Sequence, residues 1–408
     1  MSATSMATSS VVRQLSRLTS SASRHLTKPQ QRALYDWSYG IVASGSPLIS
    51  EAMRVLAEPI APKKSIERLG RHLENPRVAE AARNAILKDA VRQMKGDFII
   101  AVDPTDMAKP HARAMPHLGR VRDGSTGEIV QGYPALASVL AWPGEKRWLP
   151  LGMRLYSHEA GKRSEWSENL VILSEIERIM AATGGRGTIV IDRGGDRSTL
   201  MTPMLKKGTH FVIRQLGNRH ILWGGEKLLL TEVAAQVKCR TKVVEEDPRA
   251  KETRVVRLGS TTVYLPGHPD IPLTLTVCRT EKHKPMMLLS THTGWGRKHV
   301  LRIFSMYRAR WRVEEAIFFM KQELQWERIR VLKWERMKAL SDLVCFAAYF
   351  LASRLARGLG ETLVLRVLVA VYRPIYSRKE GCALWAATKG LQKLLQSRAP
   401  PQGWLMAA

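Results

Sequence analysis

Two acidic residues follow short apolar runs that are typical of buried β-strands. Asp103 comes directly after the run 98–102, and Asp192 comes directly after another such run. Ligands of α/β folds bind at the rim where strands end, so both carboxylates are candidates for chemistry. The alternative for each is an ordinary turn former or helix cap, a role that fits Asp106 and Asp196 better.

A third candidate lies in a segment with helical spacing. If the segment is one α-helix, Tyr307, Arg310, Glu314 and Lys321 fall within an arc of about 60° beside an apolar face. Glu315 falls about 80° from Tyr307 and is a poor candidate for the same site. The alternative is a solvated helix face with Arg–Glu and Glu–Lys pairs.

These side chains together suit the cleavage of a phosphodiester. Asp103, Asp192 and Glu314 offer hard oxygen ligands for Mg²⁺ or Mn²⁺, and a site with two ions would activate the attacking oxygen and stabilise the leaving oxygen. A guanidinium, an ammonium and a phenol on the same helix face could hold phosphate beside the metal. The phosphate-binding candidates are Tyr307, Arg310 and Lys321.

The charge of the chain points to a polyanionic partner. The 408 residues contain 64 Lys and Arg against 36 Asp and Glu, a formal net charge of +28. Nucleic acid is therefore the expected partner, with an anionic membrane surface second. The four cysteines are scattered without a Cys-x-x-Cys pair, which argues against a disulfide scaffold and a thiolate zinc site. The apolar run 343–351 is too short to span a membrane.

The elements that must position these residues divide the chain into regions. Residues 1–35 are basic, with no acidic residue, and predict a flexible arm, although a mitochondrial transit peptide has the same composition. Residues 36–95 read as helices. The segment 1–95 contains 15 Lys and Arg against 7 Asp and Glu, which favours a helical DNA-binding domain over 36–95.

The remaining regions alternate between α/β and other patterns. Strand-like runs with a helix between them predict an α/β core, which is interrupted by a β-rich segment with turn signals and followed by helical periodicity. The predicted regions are 96–214 (first part of the core), 215–291 (β-rich insertion), 292–358 (second part of the core, with the catalytic helix) and 359–408 (C-terminal helices).

The sequence resembles the DDE transposases of bacterial insertion sequences, in the branch marked by a Tyr-x2-Arg-x3-Glu-x6-Lys signature. Tyr307, Arg310, Glu314 and Lys321 match that spacing without a gap. Asp103 is the first residue of an Asp-x-Thr motif that follows a strand, and Asp192 begins the motif Asp-Arg-Gly-x-Asp-Arg. Both match the two other acidic motifs of the family. The resemblance covers about residues 97–350.

The resemblance implies a fold and an activity. It implies an RNase H-like catalytic core with divalent metal, cleavage at the ends of a DNA element and joining of the 3′ ends to target DNA. The implied partners are double-stranded DNA, as terminal inverted repeats and target, and a second subunit paired through C-terminal helices in a homodimer. A cytoplasmic, nucleoid-associated bacterial protein is expected.

Two tryptophans are candidates for base stacking. Related enzymes form a DNA hairpin with help from such stacking, and Trp295 precedes the catalytic helix whereas Trp223 lies in the insertion. Packing of the insertion on the core is the alternative for each. Two other functions remain open on the same fold, namely a domesticated DNA-binding protein and a structure-specific nuclease. Inverted repeats flanking the reading frame would favour the transposase.

Overall fold

The predicted strands before each aspartate lie side by side in one large sheet. The computed structural model describes residues 3–124, 126–161, 167–246, 253–281, 283–355 and 382–396. The first strands are β1 (Ile99–Ala108), β2 (Gly119–Arg122), β3 (Ile129–Ala141), β4 (Trp148–Leu155), β5 (Thr188–Ile191) and β6 (Phe211–Arg214). The remaining strands are β7 (His220–Trp223), β8 (Glu226–Leu229), β9 (Thr241–Glu246), β10 (Thr253–Leu265), β11 (His268–Arg279) and β12 (Met286–Ser290).

The sheet mixes antiparallel and parallel pairs. Its order is β2-β3-β1-β5-β6-β12-β11-β10-β7-β8, with β4 on β3 and β9 on β10. β1, β3 and β4 form an antiparallel meander, whereas β5 runs parallel to both β1 and β6. The fold is therefore mixed α/β, as the sequence predicts.

Helices cover the sheet and form most of the N-terminal region. The N-terminal helices are α1 (Ala3–Ala22), α2 (Lys28–Ser44), α3 (Ile49–Leu56), α4 (Pro62–His72) and α5 (Pro76–Val91). Within and after the sheet come α6 (Glu168–Thr183), α7 (Ser198–Lys206), α8 (Leu230–Gln236), α9 (Gly296–Ala309), α10 (Arg312–Gln322), α11 (Trp334–Leu355) and α12 (Cys382–Gln396).

The first residues do not form the predicted arm. Helix α1 packs against α2 and α5, and its apolar stripe of Val11, Val12, Leu15 and Leu18 is buried in the main core. The prediction of a flexible segment is therefore wrong for residues 3–22. These apolar residues recur at helical spacing and supply the buried face of α1, whereas Arg13, Arg17 and Ser20 lie on its exposed side.

Helix α5 shows how local signals begin a helix. Asn75 caps its first turn by accepting a hydrogen bond from the Arg77 N–H, and Pro76 occupies the first helical position. The buried positions Val78 and Ile86 repeat at helical spacing and face the core. This face packs against α11, whose central segment is fully buried.

The β-rich segment continues the core sheet rather than standing apart from it. β12 pairs with β6 through the register Leu289 opposite Ile213, and β11 and β10 follow outward. The described residues of 215–291 form the strands β7–β12 and the short helix α8. The proposed division of the chain into functional domains stays a prediction.

The C-terminal helical prediction is only partly covered. Helix α12 packs against α2 and α11, and the Gln396 side chain donates to the Ala43 carbonyl at 2.9 Å. The segments 356–381 and 397–408 lie outside the described residues. None of the helices in the described ranges is both long and apolar enough to cross a membrane.

Candidate active site

The two aspartates stand at the same height on adjacent parallel strands. Ala101 of β1 lies opposite Val190 of β5, and each aspartate follows two residues later. Asp103 is not at the end of its strand, because β1 continues to Ala108 on β3. The parallel pairing, however, stops before Asp103, so this residue and Asp192 face the edge where β1 and β5 diverge.

A tight turn fixes Asp192 after β5. Its Oδ1 accepts the Gly194 N–H at 2.7 Å and begins the 3₁₀ turn Arg193–Gly195. A Cβ at Gly195 would stand 2.7 Å from the Ile191 side chain, so a glycine is needed for the chain to fold back here.

Asp196 closes the same loop and has a structural role. It accepts hydrogen bonds from the Leu216 N–H and from the Arg219 Nε, both at 2.8 Å. Its carboxylate is almost fully buried and is occupied by these partners. Of the two aspartates in this loop, Asp192 is therefore the one whose position suits chemistry.

The segment with the signature is not one helix. α9 ends at Ala309 and α10 begins at Arg312, with Arg310 and Trp311 between them in helical dihedrals but bonded three residues back, as in a 3₁₀ turn. The single-helix prediction is wrong at this junction. Arg310 and Glu314 stand four residues apart across this junction and are in contact, with the guanidinium Nη2 2.8 Å from Glu314 Oε1.

Arg310 joins the helix to the strand. Its Nη1 lies 3.8 Å from Asp103 Oδ2, and the side chain is only 11% exposed. Among the described residues, its buried Nε has no hydrogen-bond partner. Buried donors in proteins are normally bonded, so this nitrogen is an unsatisfied donor that an incoming oxygen reaches only when the guanidinium moves.

The three carboxylates influence one another. Burial raises the pKa of Asp103 to about 7; the nearby Arg310 opposes this rise, and the charges of Asp192 and Glu314 add to it. The charges of Asp192 and Glu314 thus act on Asp103, so the three acidic residues that the sequence singles out lie within electrostatic reach of one another. The structure also places one guanidinium between the first and the third of them.

Lys321 of α10 contacts a carboxylate that lies further along β1 than Asp103. Its Nζ is 3.5 Å from Asp106 Oδ2 and 3.0 Å from Glu327 Oε1. Asp106 is three residues beyond Asp103, or about 10 Å along an extended strand. Lys321 and Arg310 therefore contact different carboxylates of the same strand.

Glu327 and Lys109 complete this cluster, and no sequence motif singles them out. Lys109 is buried and its Nζ donates to the carbonyls of Glu327 and Ile329. Burial lowers the pKa of this ammonium to about 8. Both residues lie outside the signature spacing, so only the folded arrangement reveals them.

The three aromatic candidates differ in how far they are buried. Tyr307 is buried beneath Arg310, whose guanidinium carbon lies 5.8 Å from the ring centre. Trp223 packs on the core, and its Nε1 donates to the Thr261 hydroxyl at 2.9 Å. Trp295 is 92% exposed, but it precedes α9, a helix about 21 Å long whose far end leads to Arg310. A stacking role for Trp295 beside the carboxylates is therefore not supported.

The donor set fits a hard divalent cation, although the present arrangement does not form its coordination sphere. In the described part of the chain, no three His, Cys, Asp or Glu side chains stand together closely enough to hold a metal. Carboxylate oxygens are the ligands that Mg²⁺ and Mn²⁺ prefer. A cationic group already lies between Asp103 and Glu314, so a metal there requires Arg310 to move.

The chain was compared with known proteins. A search of curated proteins found no match. Among solved structures, it is similar to a piggyBac transposase in a synaptic complex with hairpin DNA, with 10% identity, a TM-score of 0.40, and coverage of 97% of this chain and 80% of that chain. The family model described as a transposase DDE domain matches residues 94–351, well over half of the chain and including all three carboxylates. The chain therefore belongs to the DDE transposase family.

Proposed function

We propose that the protein is the transposase of a bacterial insertion sequence, in the branch with the Tyr-Arg-Glu-Lys signature. It binds the ends of its element, cleaves them by metal-dependent hydrolysis and joins the 3′ ends to target DNA. The strand order β4-β3-β1-β5-β6, with three antiparallel strands followed by two parallel ones, supports an RNase H-like core. The site lies at the edge of this core.

One observation carries the proposal. Asp103 and Asp192 occupy matching positions on adjacent parallel strands, and Arg310 connects Asp103 to Glu314. One carboxylate in β1, one directly after β5 and one in α10 thus lie near one another beside cationic groups. Cleavage of a phosphodiester backbone needs both kinds of group, since the carboxylates hold the metal and the cationic side chains hold the phosphate.

The residues have distinct roles in the proposed reaction. Asp103, Asp192 and Glu314 would hold Mg²⁺ or Mn²⁺, with two ions expected, which activate the attacking oxygen and stabilise the leaving oxygen when bound.

The phosphate-binding groups are held by the same elements. Arg310 offers its unpaired Nε to a phosphate oxygen, and the fork of its guanidinium can hold two oxygens at once. Lys321 would hold a phosphate further along β1, and Tyr307 supports Arg310 from below.

The proposed partners follow from the same activity. Double-stranded DNA is expected both as terminal inverted repeats and as target, and the net charge of +28 favours its binding. Two subunits are expected in the complex that holds both ends. The protein is expected in the bacterial cytoplasm, associated with the nucleoid.

The direct test uses DNA that carries the native element ends. The protein is incubated with this DNA and Mg²⁺, and strand cleavage is followed on denaturing gels. Asp103→Asn, Asp192→Asn and Glu314→Gln should each abolish cleavage and leave end binding largely intact. Glu315→Gln is the matched control, because this neighbouring glutamate of α10 pairs with Arg312 instead.

The other outcomes separate the alternative functions. End binding without cleavage by the wild-type protein would favour a domesticated DNA-binding protein. Cleavage of branched DNA that lacks the element ends would favour a structure-specific nuclease. Normal cleavage by Asp192→Asn would show that the assignment of the acidic triad is wrong.

A further inference from the structure

A second cationic site lies at the opposite edge of the core. A cavity of about 710 Å³ opens at the amino ends of the parallel strands, whereas the carboxylates stand at their carboxyl ends. From Thr188, at the start of β5, to Asp192 the chain extends about 13 Å. The cavity is therefore separate from the candidate active site. Its polar lining includes Lys95, Asp97, Arg186, Thr188, His292 and Arg302.

The charges in this cavity are unbalanced. Asp97 is its one acidic lining residue, and both of its oxygens are bound by Arg302, at 2.8 and 3.1 Å. Within the described ranges, no carboxylate forms an ion pair with Lys95 or Arg186. Both side chains are exposed at the rim. Two positive charges thus remain available to an anion.

Two histidines form a polar wall of the cavity. The rings of His210 and His292 stack at 4.6 Å, and His292 Nε2 shares a hydrogen bond of 2.8 Å with the Thr188 hydroxyl. Burial lowers the pKa of His292 to about 4, and the nearby Arg302 adds to this effect. The ring is therefore neutral at physiological pH and fixed in place.

The backbone around the cavity is open. Gly96 and Gly185 line it with positive φ angles of 66° and 76°, and a Cβ at either position would meet no atom within 4 Å. Glycine at such positions permits the close approach of a bulky ligand to the main chain. The lining thus combines free cations, fixed polar groups and accessible backbone.

Helix α9 extends the positive surface. Its first turn contains the exposed Arg297 and Lys298 and no acidic residue, and the side chain before it does not cap the helix. That side chain is Trp295, an aromatic ring exposed to 92%. Arg302 of the same helix lines the cavity. An aromatic ring thus stands exposed beside two cations at the start of α9.

We propose that this cavity and the start of α9, here called the amino-edge surface, bind the phosphate backbone of duplex DNA that is not being cut. We assign this DNA to the subterminal part of the element's own end. Lys95 lies directly after the helical region predicted to bind the end, so DNA held there continues onto the amino-edge surface. The inference rests on the proposed function in DNA transposition.

The test compares short and long fragments of the element end. One fragment carries the terminal repeat alone, and the other also carries the subterminal duplex. The double variant Lys95→Gln/Arg186→Gln removes the two unpaired charges. The matched control is Lys227→Gln/Lys242→Gln, which removes two exposed charges from the far strands β8 and β9. Circular dichroism and thermal unfolding verify that all variants fold.

The expected result is a change in salt dependence that appears only with the long fragment. Each phosphate contact contributes about 0.9 to the slope of log affinity against log salt. Between 50 and 200 mM salt, the wild-type affinity should fall roughly tenfold more than that of the double variant. Equal slopes for these two proteins, or an equal loss in the control variant, would overturn the proposal.

Two further measurements locate a failure. Capture of target DNA by pre-cut ends is assayed with the same variants, and a defect confined to this step would overturn the assignment to element DNA. Cleavage of the short fragment by the wild-type protein tests the proposed function by itself. If that cleavage fails while the length-dependent salt effect remains, the proposed function is wrong and the amino-edge surface stands.

Discussion

At the scale of single residues, Arg310 is the side chain on which the site depends most. It contacts Asp103 and Glu314 through different nitrogens and leaves a third nitrogen free among the described residues. A metal between these carboxylates and a phosphate beside them both require the guanidinium to shift. Arg310 therefore connects the state of the acids to the presence of DNA.

We expect Arg310→Lys to lower first-strand nicking on the order of 10–100-fold, although the charge is kept. An ammonium cannot reproduce the fork, and a hydrogen bond to a charged group contributes about 1.5–3 kcal/mol. Nicking and the joining of pre-cut ends are measured separately. Arg308→Lys is the control, because Arg308 makes a single ion pair with Glu245 of β9 that Lys can also form. Full activity of Arg310→Lys would show that only the charge matters, and equal losses in both variants would show that the effect is not specific to the contacts of Arg310.

Asp103 supplies a prediction about stability and pH. The pKa of Asp103 is about 7 in the folded protein and about 4 in the unfolded chain, so the folded state keeps its proton between these values. The free energy of unfolding must therefore fall as the pH rises from about 4 to 7. Asp103→Asn removes the ionisable carboxyl and therefore abolishes this fall in the free energy of unfolding.

In the presence of chelator at pH 8, the unfolding temperature of Asp103→Asn should exceed that of the wild type by on the order of 1–3 °C. The two temperatures should converge near pH 4. Differential scanning calorimetry across this range is the measurement, and Mg²⁺ should then raise the unfolding temperature of the wild type more than that of the variant. A variant less stable than the wild type at pH 8 would contradict the electrostatic account.

At the scale of elements, the loop after β5 separates a chemical role from a structural one. Asp192 turns toward the carboxylate site, whereas Asp196 ties the loop to the chain after β6 through Leu216 and Arg219. Asp192→Asn should abolish cleavage with little change in stability.

Asp196→Ala should lower the free energy of unfolding by about 1–3 kcal/mol and leave measurable cleavage, because it strands a buried N–H and an arginine. Asp196→Asn should restore part of the stability, since its amide oxygen can still accept from Leu216. Urea unfolding and the gel assay measure the two effects independently. Complete loss of cleavage in a stable, folded Asp196→Asn would assign that residue to the site instead.

The elements also mark how far sequence reasoning reaches. Short apolar runs predict β1 and β5 because runs of four to five residues have the length of a buried strand and are too short for a buried helix, and the strand positions place Asp103 beside Asp192. The break between α9 and α10 could not be predicted, because Arg310 and Trp311 at the junction keep helical dihedrals. The pairing of Arg310 with Asp103 joins residues far apart in the sequence, and only tertiary packing reveals it.

The same limits apply to the ends of the chain. A basic, Ser- and Thr-rich composition suggested disorder for α1, although Val11, Val12, Leu15 and Leu18 repeat at helical spacing. The helical spacing of these apolar residues, and not the composition, indicates the structure of α1. The exposure of Trp295 and the packing of Trp223 had no sequence signal, because both follow from where the insertion lies.

At the scale of the whole molecule, the net charge of +28 predicts DNA binding with strong salt dependence. With roughly 6–10 phosphates contacted, affinity should fall by about 10³–10⁵ between 50 and 200 mM salt, as measured by fluorescence anisotropy. Lys63→Gln/Lys64→Gln, two exposed positions of α4, should reduce the slope by about 2 if the N-terminal helices contact DNA. An unchanged slope would place the contacts elsewhere.

Deletion of residues 1–95 would not test end recognition cleanly. Arg83 of α5 pairs with the buried Asp342 of α11, and the Tyr349 hydroxyl donates to Asp89 at 2.7 Å. Removing α5 would leave these polar groups and a large apolar face of α11 without partners. Loss of specificity in such a truncation would follow from misfolding, so surface substitutions are the sharper experiment.

The packing of α1–α5 on α11 and α12 has a consequence for synthesis on the ribosome. Helix α5 meets α11 only after about 260 further residues have been made, which takes roughly 13–50 s at ordinary rates of elongation. During that interval the apolar faces that pack on α11 and α12 lack this native cover. Nascent chains stalled before residue 334 should therefore recruit chaperones or aggregate, and a transposase released early by a nonsense codon should accumulate as insoluble material rather than as a free DNA-binding fragment.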